Sequence, residues 1–213
     1  MRNLLDQDSG FMGFMNRFAD LLLLNVLFFF TSLPIFTIGA SSAAMYTVLF
    51  RYGTDRENGT LKPFFQAFRE NFKKSTALWL PLLVLLAGTS FNILFFLRAE
   101  GPLHNLWIPS VVILLLLIFV SSYAFPLQSR FENSLGGTLK NALILSIGYL
   151  PRTLLIAALH LLPTAVLLVS PYIFLRSSAL LPAIYFSASG MLCTKLLKKA
   201  FQPLLDAAGE GNP

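Results

Sequence analysis

The feature that most constrains this chain is the length of its charge-free apolar runs. Between Arg98 and Arg130 the only ionisable side chains are Glu100, His104 and Tyr123. A stretch of that kind cannot be wetted as the surface of a globule. A helix crossing a ~30 Å hydrocarbon core at ~1.5 Å per residue needs roughly 20 mostly apolar residues. Four segments satisfy this directly: Thr76 to Leu97, Leu106 to Leu127, Thr153 to Phe174 and Leu180 to Leu197. Lys73, Lys74 and Arg98 flank the first, and Arg152 and Arg176 flank the third. Lys198 and Lys199 are expected to stop the last. Composition agrees, with 55% hydrophobic and only 12% charged residues, against about 25% charged in ordinary soluble domains.

The N-terminal apolar region runs from Leu21 to Phe50, 30 residues. As one straight helix it would measure about 45 Å, too long for one comfortable span. Pro34 lies near its middle, and proline removes a backbone donor while disfavouring helix at the residue before it. The expectation is a full span over about Phe18 to Leu33, a tight turn, and a shorter helix over about Ala40 to Arg51 that returns. The pairs Gly39/Ala43 and Ala40/Ala44 are four apart, which permits close helix approach. The fold class is therefore an all-α membrane protein: five full transmembrane helices plus one shorter helix returning after Pro34. It reads as a single transmembrane domain over residues 1–213, with an N-terminal tail at 1–17 and a flexible C-terminal tail at 200–213. Asp6 and Asp8 argue against a cleavable signal peptide.

Residues 61–75 have a different character. At 100° per residue Phe64, Phe65, Phe68 and Phe72 share about one third of the helix circumference, while Arg69, Lys73 and Lys74 occupy the remainder. Pro63 suits a first helical turn. A narrow aromatic face under a basic one describes an amphipathic helix lying in the membrane interface. The alternative is a helix packed on its own protein, with no lipid contact.

The sixteen Lys and Arg residues concentrate in three connections: Arg51 to Lys74, Arg130 to Arg152, and Lys195 to Lys199. Under the positive-inside rule these share the cytoplasmic face, and the C-terminus with them. A hairpin at Pro34 would put the N-terminus on that face too; a single crossing would put it outside. The hairpin is the preferred reading, and the side of the N-terminus stays open. The net charge of +6 reads as membrane orientation, not as nucleic-acid binding.

Chemical motifs are absent from the sequence. There is no phosphate-binding glycine loop, no His-Glu-x-x-His and no nucleophile elbow. Two histidines and one cysteine make no zinc site, so no catalytic, cofactor or metal residue is expected. All ten acidic residues fall outside the expected membrane cores, Asp20 coming nearest, which argues against ion-coupled transport. Asn25, Asn92 and His160 are the candidate intramembrane polar residues, expected to hydrogen-bond across helix interfaces. The candidate partner or lipid contacts are Phe64, Phe65, Phe68, Arg69, Phe72, Lys73, Lys74, Arg130 and Lys140, since a basic cytoplasmic surface can dock a partner or anionic lipid.

Three stretches add a resemblance: SLPIFTIGASSAAMY (Ser32 to Tyr46), KPFFQAFRENFKK (Lys62 to Lys74) and FPLQSRFENSLGGTLKNAL (Phe125 to Leu143). In this order and spacing the chain resembles the YesL-like family of bacterial membrane proteins, a domain of unknown function (family 624). The resemblance implies a plasma-membrane protein of Gram-positive bacteria. Members often sit beside carbohydrate-uptake and polysaccharide-degradation genes, which implies a role near sugar transport. It carries over no catalytic residue, and the Glu-Ala-Ala loop by which sugar permeases engage their ATPase does not occur here. The expected function is thus a non-enzymatic accessory or regulatory component associated with carbohydrate uptake. A small-solute transporter or channel acting as an oligomer is the alternative. Expected partners are the lipid bilayer and a sugar-importer complex or other membrane protein.

Overall fold

The computed structural model describes residues 10–52, 59–172 and 184–207. These residues form seven α-helices: α1 (Gly10–Ser32), α2 (Ile38–Arg51), α3 (Leu61–Arg98), α4 (Trp107–Arg130), α5 (Leu135–Gly148), α6 (Leu150–Val169) and α7 (Phe186–Ala207). Short 3-10 turns at Ile35–Thr37 and Gly101–Leu106 link α1 to α2 and α3 to α4.

The break at Pro34 forms as expected. Thr37 Oγ1 shares its proton between the carbonyls of Thr31 (2.5 Å) and Pro34 (2.6 Å), satisfying acceptors that the ended helix leaves open. Trp79 Nε1 then donates to the Ile35 carbonyl at 2.7 Å, pinning this turn to α3. At the opposite end Thr60 Oγ1 donates to Asp20 Oδ1 at 2.8 Å, and the Tyr52 hydroxyl lies 3.3 Å from that of Thr60. The early part of α1, the end of α2 and the start of α3 therefore meet at one end of the bundle. The α1–α2 unit is a hairpin, yet its turn reaches only Trp79, midway along α3. Beyond it α3 and α4 continue as a long pair with outward-facing apolar side chains such as Val84, Phe91, Phe95 and Val112.

Four helices are long and apolar enough to cross a membrane: Met15–Ser32, Leu61–Arg98, Gly101–Arg130 and Leu150–Val169, with Ile35–Arg51 as a shorter apolar helix. This is one full span fewer than the sequence suggested. The expected span Leu180 to Leu197 falls partly on residues 180–183, outside the described residues. Its remainder belongs to α7, which runs through Lys198 and Lys199 instead of stopping at them. Cys193, Leu197, Ala200 and Phe201 bury one face completely, while Lys195, Lys198 and Lys199 are exposed beside and opposite it. Packing on one face holds the helix through the lysines, so α7 is amphipathic, not uniformly apolar. The expected C-terminal tail from residue 200 is accordingly helical up to Ala207. The expected N-terminal tail likewise turns helical from Gly10.

Two further differences concern helix extent. Residues 61–75 are not a separate interfacial helix but the first 15 residues of the 38-residue α3, which continues without a break into the apolar part. The segment Leu135–Gly148, for which the sequence suggests only a connection, forms α5. Ser134 starts it, its hydroxyl accepting from Gly137 N–H at 3.1 Å in the N-cap manner. Gln128 and Thr138 join α4 to α5 through a buried hydrogen bond of 3.3 Å.

The core lies toward the end where Thr60 and Asp20 meet. Phe64, Tyr123, Leu127, Ile156, Leu197 and Phe201 are wholly buried there. In hydrocarbon, helix contact gains little from excluding water, so shape fit and interhelical hydrogen bonds must hold the bundle. Gly39 shows the fit: a Cβ at this position would come within 2.7 Å of the Ser75 carbonyl oxygen and of Trp79 Cβ. The small residues Gly39, Ala40, Ala43 and Ala44, all buried, let α2 lie directly against α3. Some hydroxyls inside the apolar helices bond back to their own backbone. Ser110 does so to Leu106 (2.8 Å) and Thr47 to Ala43 (2.9 Å), so neither leaves an open donor.

Candidate functional site: the basic end of the bundle

The aromatic face of residues 61–75 folds inward. Phe64 is fully buried and Ala67 nearly so, while Phe68 and Phe72 are half-buried. Phe64 stacks on Phe68 at 6.4 Å between ring centroids, and Phe68 meets Phe72 at 5.6 Å. This is the packed-helix alternative, and it corrects the reading of the whole face as a lipid or partner contact. Only Phe65 points outward, at 48% exposure. The reason is the neighbouring helices: a stripe of phenylalanines serves a protein core as well as an interface, and α3 has partners at this level. Arg69, Lys73 and Lys74 remain exposed on the other face.

The three intramembrane polar candidates separate. Asn25 is fully buried and its Oδ1 accepts the Ser187 backbone N–H at 2.8 Å, joining α1 to α7. His160 lies on α6 with Nε2 3.5 Å from the Tyr46 hydroxyl and Nδ1 3.2 Å from the Ser122 hydroxyl, tying α6 to α2 and α4. Two helical turns earlier Thr153 adds a 3.0 Å contact to the Tyr123 hydroxyl and donates to the Ser146 carbonyl at 2.7 Å. Asn25 and His160 thus each bridge helices. Asn92 instead lies exposed on the outer half of α3, away from the other two.

At the end of the bundle cations of two basic connections, Arg130 and Lys198, come together beside the end of α2. The Arg130 guanidinium carbon stands 5.4 Å from the centre of the Phe50 ring. Phe50 and Phe131 in turn pack on Phe201, at 5.9 and 5.7 Å. The last residues of α2 and α4 and the C-terminal part of α7 therefore share one corner. Between them opens a cavity of about 230 Å³ lined by Phe50, Arg130, Lys198, Phe201, Gln202 and Leu205. No carboxylate among the described residues lines it. Lys140 is exposed on α5 and does not line this cavity.

Sequence reading finds Arg130 but misses Lys198 and the ring pair Phe50–Phe201. The spacing Lys198–Phe201–Leu205 places three residues near one helix face, and that signal is present in the sequence. Reading the lysines as the end of a span hides it. Chemically the corner sets two cations beside aromatic surface, an arrangement that suits anion binding.

No curated protein and no solved structure matches the chain. Residues 21–93 match the model of a family described as protein of unknown function, DUF624. Two of the three stretches that carry the resemblance, Ser32 to Tyr46 and Lys62 to Lys74, lie inside that match, and the third lies beyond it. Over the second half of α1, α2 and most of α3, the chain is thus consistent with a DUF624 family protein.

Proposed function

We propose that this chain is a non-enzymatic, multi-pass membrane protein that serves as an accessory or regulatory subunit, docking a partner through its basic end. The observation that carries the reading is the corner where Arg130 lies over Phe50 beside Lys198; Arg69, Lys73 and Lys74 add exposed charge farther along α3. Cations at the end of a membrane bundle attract acidic surfaces and set the rate and register of docking. The basic end faces the cytoplasm of a bacterial plasma membrane, with the C-terminus on the same side, as the positive-inside rule favours. The narrower proposal is association with carbohydrate uptake, and its support is the family resemblance alone. An affinity-tagged chain purified in mild detergent should bring down a component of a sugar importer. The Arg69→Gln, Lys73→Gln, Lys74→Gln variant should fold normally and lose that capture. Purification of the native chain with no importer component would sink the sugar-uptake reading.

A further inference from the structure

We propose that the cavity between the ends of α2 and α4 and the C-terminal part of α7 holds the phosphate of an anionic phospholipid headgroup. Three observations converge on it. The cavity, about 230 Å³, accommodates a phosphate and part of a glycerol but not a whole lipid. It is lined by two cations, Arg130 and Lys198, with no carboxylate among the described lining side chains. Its remaining wall is chiefly apolar: Phe50, Phe201 and Leu205 are each less than 10% exposed.

The chemistry of the two cations is complementary. Arg130 presents a planar fork of N–H donors suited to two phosphate oxygens, and Lys198 supplies a compact point charge. Phe50 holds the guanidinium against its ring at 5.4 Å, which limits the freedom the arginine loses on binding an anion. The apolar wall lowers the local dielectric and strengthens both attractions relative to open water. A free inorganic phosphate would leave that wall wet, whereas the glycerol and ester carbons of a lipid cover it. The position suits a lipid as well: Arg130 is the last residue of α4, a helix long and apolar enough to span the bilayer, so its charge stands at headgroup depth. The lipid site depends on the spanning helices and the cavity, and not on a protein partner.

The test places the full chain in nanodiscs of phosphatidylcholine, with and without phosphatidylglycerol, and counts retained phosphatidylglycerol by native mass spectrometry. The melting midpoint is followed in parallel, with inorganic phosphate added to phosphatidylcholine discs as a separate arm. Lys198→Gln and Arg130→Gln together should lower phosphatidylglycerol retention about tenfold or more, at roughly 1 kcal/mol per cation near an anionic membrane. Arg130→Lys should restore part of it, and Lys140→Gln, outside the cavity, should leave it unchanged. If Arg130→Gln fails to fold, Lys198→Gln alone decides, because this side chain is exposed and its loss leaves the core intact. Undiminished retention in the variants overturns the site. An equal loss in Lys140→Gln shows diffuse surface attraction and overturns it too. A phosphate arm that raises the midpoint as much as phosphatidylglycerol does shows a free-anion site and overturns the lipid assignment.

Discussion

Asn25 and Ser187 stand 162 residues apart and are joined by a hydrogen bond of 2.8 Å, the amide oxygen of one accepting the backbone N–H of the other. Both are fully buried, and the bond ties the first described helix to the last. Loss of the amide leaves a buried N–H without its acceptor, at a cost of about 1–3 kcal/mol. Asn25→Ala should therefore lower the unfolding midpoint in detergent clearly, and Asn92→Ala, on the exposed face of α3, should not. Equal midpoints for the two variants would mean the α1–α7 bond contributes nothing.

Gly39 and Gly190 are both close to neighbouring elements, but what they meet differs. An added Cβ at Gly39 strikes the Ser75 carbonyl and Trp79 Cβ at 2.7 Å, whereas at Gly190 it meets the side-chain ends Leu49 Cδ1 at 2.8 Å and Met45 Cε at 3.1 Å. Backbone cannot step aside and methyl ends can. Gly39→Ala should cost about 1–3 kcal/mol as overpacking does, and Gly190→Ala distinctly less. Gly88→Ala meets nothing within 4 Å and should be neutral or stabilising, by up to about 1 kcal/mol from helix propensity. Reversible unfolding in mixed detergent ranks the three.

The aromatic stripe offers a comparison between adjacent residues. Phe64 is fully buried and Phe65 is 48% exposed. Phe64→Ala should cost about 3–5 kcal/mol, as deletion of a buried ring does, and Phe65→Ala should stay within about 0.5 kcal/mol. Similar losses for both, measured by the same unfolding assay, would restore the interfacial reading of residues 61–75.

Cys193 is the chain's single cysteine and is fully buried on α7. A maleimide should leave the folded protein unlabelled and react once the bundle opens. The labelling midpoint on heating should coincide with loss of helical signal. Rapid labelling of the native protein would mean that α7 separates from the bundle well before it unfolds.

Much of the fold is legible in the sequence because the physics of the bilayer acts locally. The break at Pro34, the close contacts of Gly39, Ala40, Ala43 and Ala44, and the helix bridges of Asn25 and His160 follow from residue type and spacing. The differences share one cause. Sequence reading gives Phe64 to lipid, Lys198 and Lys199 to the end of a span, and residues 135–148 to a connection. In each case the sequence shows which face is apolar and not what covers it. An apolar stripe packs equally well on lipid or on protein, and α5 is a short helix that pairs with α4 through Thr138 and Gln128.

By itself the sequence determined that the chain is helical, that several helices suit a membrane, and that its cations cluster in three connections. These are consequences of hydropathy and period, which need no partner to be read. Only the tertiary structure decided that the α1–α2 turn reaches no further than Trp79, that α7 turns its apolar face inward, and that Arg130, Phe50 and Lys198 share a corner. Such contacts join residues far apart in the chain and depend on which surfaces fit, a matter of shape between helices that no single helix records.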